Sequence, residues 1–269
     1  MIINLNEAFK RQSNLVAFNF FNIETISGIL DAAQEKDRIV ILSFGESYME
    51  HTPIEVAAAM ASEYSKLYKK PFVLHLDHAT RMETVEKALH LGFSSVMFDG
   101  SKLTLEENIF NTTMAVQHAK RFGATVEGEL GYLNNEDGSD EIELVYTSVK
   151  DSLRFVSETG VDALAVAVGN AHGIYKSKPS INVDRIKEIH ASVGVPLVLH
   201  GSSGIPMEVL AQSFEAGVGK INVNTELALA GCRGTREYMD SFGENPRFEN
   251  AMRMARVEIK KAAMEFLDL

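Results

Sequence analysis

Short apolar runs alternate with longer amphipathic stretches along all 269 residues, and that rhythm limits the fold more than any other feature of the sequence. The runs predict eight strands, over residues 16–20, 39–42, 72–76, 95–98, 124–127, 163–167, 197–199 and 221–223. The stretches between them predict helices, among them 55–69, 82–91, 105–122 and 148–159. Within each run the apolar character is nearly continuous rather than alternating, as expected of a parallel sheet buried on both faces. Eight such repeats in a chain of this length favour a closed (β/α)8 barrel over an open, doubly wound sheet. Residues 247–269 read as an additional C-terminal helix outside the eight-fold count. No linker, low-complexity tract or further repeat breaks the pattern, so the expectation is a single α/β domain over residues 1–269.

Composition narrows the class of function. Hydrophobic residues make up 45% of the chain and charged residues 23%, ordinary values for a soluble protein with a real core. A chain this long buries enough apolar surface to need no disulfides. Cys232 is its one cysteine, which points to a reducing compartment. No run approaches the roughly 20 apolar residues of a membrane span. The opening MIINLNEAFKRQSN lacks the basic-then-apolar order of a signal peptide, so a cytoplasmic location is expected. The net charge of −11 argues against a nucleic-acid partner, which requires clustered Lys and Arg. It leaves room for a small phosphorylated ligand, for which a few amides and one or two cations suffice.

In a (β/α)8 barrel, active residues sit where strands end and loops begin. The polar residues at those points are His75-Leu76-Asp77-His78, Asp99, Glu127-Gly128-Glu129, Gly169-Asn170-Ala171-His172-Gly173, His200-Gly201-Ser202-Ser203-Gly204, and Asn222, Asn224 and Thr225. Three histidines, His78, His172 and His200, thus fall at the ends of three strands. Neutral imidazole is a preferred zinc ligand, and three protein ligands leave one position open for substrate, as in catalytic zinc sites. One such histidine alone would read as a hydrogen-bonded rim residue. His51, His90, His118 and His190 read as surface or packing residues, and His75 as an inward-facing layer residue of the barrel.

The glycines and amides after the last strands suit an anion, because turns at helix N-termini offer several N–H donors and little bulk. Asp77, beside the expected ligand His78, is expected to point elsewhere and to exchange a proton near the metal. A competing reading makes it the N-cap of a helix starting near Thr80. Asp99 and Glu129 are placed to bind a second cation or to orient the ligands. The polar, turn-rich stretch 132–143 reads as a lid, with Glu136 and Asp137 as its carboxylates.

Taken together, HLDHA at 75–79, VEGELG at 126–131, AVGNAHGIYK at 167–176, LHGSSGIP at 199–206 and KINVNTEL at 220–227 resemble the class II fructose-bisphosphate/tagatose-bisphosphate aldolase family. The resemblance runs from AFNFFN at 17–22 to NPRF at 245–248. It implies zinc on His78, His172 and His200, acting on dihydroxyacetone phosphate, with Asp77 as proton donor and Glu136 as the lid base. It implies an alternative or second divalent site at Asp99 and Glu129, and a monovalent cation near Lys176. Gly173, Gly201, Ser203, Asn222 and Thr225 match substrate and phosphate positions, with Ser202 and Asn224 in the same loops. Arg247 resembles an arginine that meets the distal phosphate, in some members across a subunit contact, and the family implies a homodimer or homotetramer. Departures from the family pattern lie around the substrate: Ser202 for a glycine, Asn134-Asn135 for a glycine pair, Asn170 for Ser or Thr, and SFGESYM at 43–49 at the end of the second strand. Alternatives are the same chemistry on another sugar phosphate, such as a deoxy-keto-phosphogluconate, a non-catalytic barrel subunit, or a Schiff-base aldolase using Lys220.

Overall fold

A computed structural model describes residues 1–131, 146–171, 179–242 and 245–269. Eight parallel strands close into a barrel in sequence order: β1 (Leu15–Asn19), β2 (Val40–Gly45), β3 (Phe72–Ala79), β4 (Ser95–Phe98), β5 (Thr125–Leu130), β6 (Ala163–Val166), β7 (Leu197–Leu199) and β8 (Val218–Val223). β1 pairs with β8, for example Ala17 with Asn222, and completes the ring. Helices follow the strands: α2 (Ile23–Glu35), α3 (Ile54–Leu67), α4 (Met82–His90), α5 (Leu105–Phe122), α6 (Val149–Thr159), α7 (Val183–Val193), α8 (Met207–Glu215) and α9 (Thr225–Phe242). The short α1 (Leu5–Phe9) precedes the barrel, and α10 (Phe248–Phe266) ends the chain.

Period-2 side-chain alternation sorts the apolar strand residues into two layers. Val16, Phe18, Val40, Leu42, Leu74 and Leu76 face outward and pack against the helices. Leu15, Ala17, Ile41, Val73, Ala165 and Val198 face inward and fill the lower barrel. Ile3, Leu5 and Ala8 join this inner cluster, so α1 closes the end where the strands begin. The sequence pattern does not reveal that plug, because five residues are too few to show helical periodicity.

The predicted helix over 247–269 is α10, and it lies across α2 and α9. Two glycines allow the close approach. A Cβ on Gly28 of α2 would stand 2.8 Å from Ile259 Cγ2, and one on Gly234 of α9 would stand 2.6 Å from the Met254 carbonyl oxygen. α10 also carries Phe266, whose ring meets Phe18 of β1 edge-on at 6.4 Å.

Three strands run beyond their predicted ends: β2 through Gly45, β3 through Ala79 and β5 through Leu130. The residues added to β3 and β5 include Asp77, His78 and Glu129, which read as loop because they are polar. They belong to strands because their side chains turn into the barrel mouth. β8 starts three residues early for the same reason, since Lys220 is fully buried inside the barrel. Among the described residues, no helix is long and apolar enough to cross a membrane.

Candidate active site

The mouth of the barrel holds a cavity of about 530 Å³ at the C-terminal ends of the strands. Asp77, His78, Asp99, His200, Gly201, Ser203, Asn222, Asn224 and Thr225 line it, so nine of the expected site residues share one space.

Asp77 and His78 are neighbours in sequence, yet both line this cavity, contrary to the expectation that Asp77 points elsewhere. In a regular strand they would face opposite sides. Two observations explain the exception. The pairing of β3 with β4 shifts register between Leu76 and Ala79, and His78 adopts a left-handed backbone with φ 49°. A bulge of this kind re-aims a side chain at the cost of a regular ladder. Nor does Asp77 cap a helix: α4 begins at Met82, with Arg81 at its N-cap.

Amides hold the Asp77 carboxylate. Asn19 Nδ2 donates to Oδ2 at 3.0 Å, and Asn222 Nδ2 donates to Oδ1 at 3.2 Å. Burial would raise its pKa, but electrostatic attraction to its neighbours, His78 foremost and then His200, Lys220 and His75, outweighs that and keeps the group well below the ordinary carboxylate range.

Each described histidine of the expected metal set has one ring nitrogen fixed by a carboxylate. His78 Nδ1 lies 2.8 Å from Asp99 Oδ2, and His200 Nε2 lies 2.8 Å from Glu127 Oε1. Carboxylates in that position set the tautomer and orientation of metal-binding imidazoles. Asn222 Nδ2 approaches His200 Nδ1 at 3.4 Å, which fits a neutral ring whose Nε2–H donates to Glu127. Burial lowers the His200 pKa, and His78 and Lys220 add to this against the pull of Glu127. The rings of His78 and His200 stand edge to face, 4.6 Å apart.

Among the described residues, two sets of donor atoms each lie within 4.8 Å of one another: Asp77, His78 and His200 form one, and His78, Asp99 and Glu129 the other. Glu129 Oε2 is buried without a hydrogen-bond partner, 3.7 Å from His78 Nδ1. Burial pushes the Glu129 carboxyl up to about 8, with Asp99, Glu127 and Asp77 adding to the rise against His78. At His78, burial is outweighed by Asp77, Asp99 and Glu129, which raise the imidazole to about 10. The pocket therefore favours positive charge at this point, and the nitrogen and oxygen donors suit a divalent cation.

Beneath the cavity, Lys220 Nζ lies 2.6 Å from Glu127 Oε2. His75 lies beside them, its Nδ1 2.9 Å from Ser95 Oγ, and burial with Lys220 lowers its pKa to about 3. His75 is the expected barrel-layer residue. Sequence reasoning did not assign roles to Asn19 and Glu127. Asn19 ends a short strand in AFNFFN, and Glu127 stands two residues before Glu129, on the same side of its strand. Tyr48 was also missed. It lines the cavity, bonds the Asn224 side chain, and is raised to about 12 by burial and by Asp77, against the Asn224 bond.

The last two strand ends form the opposite wall. Gly201 turns with φ 60°, and Ser203 Oγ accepts the Thr225 backbone N–H at 3.1 Å at the start of α9. Asn224 and Thr225 thus present the N-terminus of an 18-residue helix to the cavity, an arrangement suited to an anion. Ser202 does not reach this space. Its hydroxyl donates to the Leu199 carbonyl, and the residue is fully buried. Arg247 lies at the start of α10, exposed and 3.3 Å from Glu249, and does not line the cavity. His172, Gly173, Lys176, Glu136 and Asp137 lie outside the described residues.

Comparison with known proteins gives a consistent result. The family model described as fructose-bisphosphate aldolase class-II matches residues 2–269. A sulfofructosephosphate aldolase of Alkalicoccus urumqiensis is 37% identical over 245 residues, covering 90% of this chain and 84% of its own. The uncharacterized protein YdjI of Escherichia coli K12 is 36% identical over 266 residues, covering 98% and 94%. The crystal structure of that protein, described as the YdjI aldolase, superposes with a TM-score of 0.88 over 100% of this chain and 97% of the other, at 34% identity. A putative fructose-1,6-biphosphate aldolase from Coccidioides immitis gives a TM-score of 0.85 at 28% identity, covering 98% and 93%.

Proposed function

The chain belongs to the class II fructose-bisphosphate aldolase family and is a carbon–carbon lyase, and from that premise we propose a zinc-dependent aldolase that reversibly cleaves a phosphorylated ketose to dihydroxyacetone phosphate and an aldehyde. The observation that carries this reading is the convergence of Asp77, His78 and His200 donor atoms within 4.8 Å at the cavity. His78 and His200 would hold the zinc together with His172, and Asp99 with Glu129 would hold a second divalent cation. When bound, the metal supplies Lewis-acid polarisation of a carbonyl and stabilises negative charge on its oxygen.

The chain's own groups do the rest. Asp77, held ionised and oriented by two amides, takes the proton from the hydroxyl at the bond that breaks. In synthesis it returns that proton to the aldehyde oxygen. The Gly201–Ser203 turn and the N-terminus of α9 receive the phosphate, and Glu136 exchanges the carbon-bound proton. Asn222 touches both Asp77 and His200 and so ties the acid to the ligand. Fructose 1,6-bisphosphate and tagatose 1,6-bisphosphate are the first substrates of this reading, in a cytoplasmic homodimer or homotetramer.

A second reading keeps the chemistry and changes the far end of the substrate to another sugar phosphate. The relative named for sulfofructose phosphate favours it. A Schiff base on Lys220 is disfavoured, because that amine is fully buried, ion-paired with Glu127 and absent from the cavity wall. A non-catalytic subunit is disfavoured by the retained acid and ligands. The test is metal content by mass spectrometry with a coupled assay of triose phosphate release from fructose bisphosphate, tagatose bisphosphate and sulfofructose phosphate. About one zinc per chain with release from any of these supports the reading, and a metal-free, inactive chain overturns it.

A further inference from the structure

The left-handed backbone at His78 is what brings Asp77 and His78 to one cavity. A non-glycine residue held there is strained and persists only where its surroundings over-determine it. On one side the support is β4: the Asp99 backbone N–H donates to the Ala79 carbonyl at 2.8 Å, and the Asp99 carboxylate meets His78 Nδ1.

On the other side stands Glu46, the first residue of the 3-10 turn Glu46–Glu50 that follows β2. Its Oε2 accepts the Thr80 backbone N–H at 2.9 Å and the Thr80 hydroxyl at 2.7 Å. Its Oε1 accepts Arg81 Nε at 3.1 Å and the Thr84 hydroxyl. All four donors lie within the six residues after His78. The helix they lead into has no side-chain cap of its own at Arg81, so Glu46 supplies the acceptors from another element. Glu46 does not line the cavity, whereas Ser47 and Tyr48 of the same turn do.

We propose that Glu46 is a positioning residue: its grip on Thr80, Arg81 and Thr84 holds the turn after β3 and so keeps His78 left-handed, with its imidazole toward the metal. Without that grip the strand end relaxes toward extended backbone, where alternation turns His78 away from the face that Asp77 occupies. The inference rests on the metal reading above.

The test is a Co²⁺ titration of the metal-stripped, full-length chain, with amide exchange at Thr80 measured in parallel. Glu46→Ala is expected to weaken Co²⁺ binding about 10–100-fold, as for other groups that orient metal ligands, and to deprotect the Thr80 amide. Glu46→Gln, which keeps one acceptor oxygen, should recover part of the affinity. Thr84→Val removes a single hydroxyl at nearly constant volume and should cost about fivefold; it decides the matter alone if Glu46→Ala does not fold. Wild-type affinity in Glu46→Ala or, failing that, in Thr84→Val overturns the inference and leaves the metal reading intact. A wild-type chain that binds no Co²⁺ overturns both.

Discussion

Lys220 Nζ and Glu127 Oε2 meet at 2.6 Å inside the barrel, and neither side chain has any exposure to solvent. Burial alone would raise the Glu127 carboxyl, but Lys220 and then His200 hold it below the ordinary range. This pair is the base on which the orientation of His200 stands.

Removing one partner should therefore cost far more than removing both. Lys220→Met leaves an uncompensated buried carboxylate and is expected to lose about 3–5 kcal/mol of stability. Adding Glu127→Gln to that variant should restore much of the loss, a coupling that denaturant titration of the two single variants and the double would measure. Equal stability of wild type and Lys220→Met would show that the pair carries no such burden.

Asp77→Asn preserves shape and removes the charge that Asn19 and Asn222 hold. Metal content should remain near wild type, while cleavage falls about 10²–10⁴-fold. Steady-state kinetics with metal analysis on the same sample separates the two effects, and undiminished turnover would remove Asp77 from the mechanism.

Chelation should abolish turnover, and zinc or cobalt should restore it. His200→Ala should lose metal and activity together, because the ring provides a donor and the anchor for Glu127. Full activity in chelator would end the metal reading.

At Glu46, burial raises the carboxyl, but hydrogen bonds from Thr84, Thr80 and Arg81 outweigh it and lower the pKa in the folded state. A depressed carboxylate stabilises the fold above its unfolded-state value and loses that contribution as pH falls through its folded-state value. The stability gap between wild type and Glu46→Gln should accordingly be largest near neutral pH and shrink in acid. Chemical denaturation across that range measures it, and a gap independent of pH would contradict the assignment.

Gly234→Val forces a branched side chain against the Met254 carbonyl, where only backbone movement could relieve the contact. About 1–3 kcal/mol of stability should be lost, with kcat per folded molecule unchanged, since α9 and α10 cross there on the outside of the barrel.

Much of the architecture was legible because strand and helix periods are written into the apolar residues. The ends of β3 and β5 were not, since HLDHA and EGEL place charges where a strand is expected to be apolar. Only the closed ring shows that those charges point into a shared mouth. The motif positions at 77–78 and 200–203 were readable as chemistry, but not their geometry. Nothing in the string Asp77-His78 announces a left-handed residue, and Ser202 reads like Ser203 until its hydroxyl is seen turned toward Leu199. Glu127 and Lys220 escaped notice as a pair because 93 residues separate them, and only the closed barrel brings them together.

The irregularity between Leu76 and Ala79 also bears on any attempt to redesign this barrel. An engineer who smoothed that strand into an ideal ladder would gain regular backbone pairing and keep every side chain in the sequence. The product would nonetheless carry half a catalyst, because one of two adjacent residues would be buried among the surrounding helices. Here the working part is encoded by a flaw in the scaffold, so idealisation and activity pull in opposite directions at that one peptide.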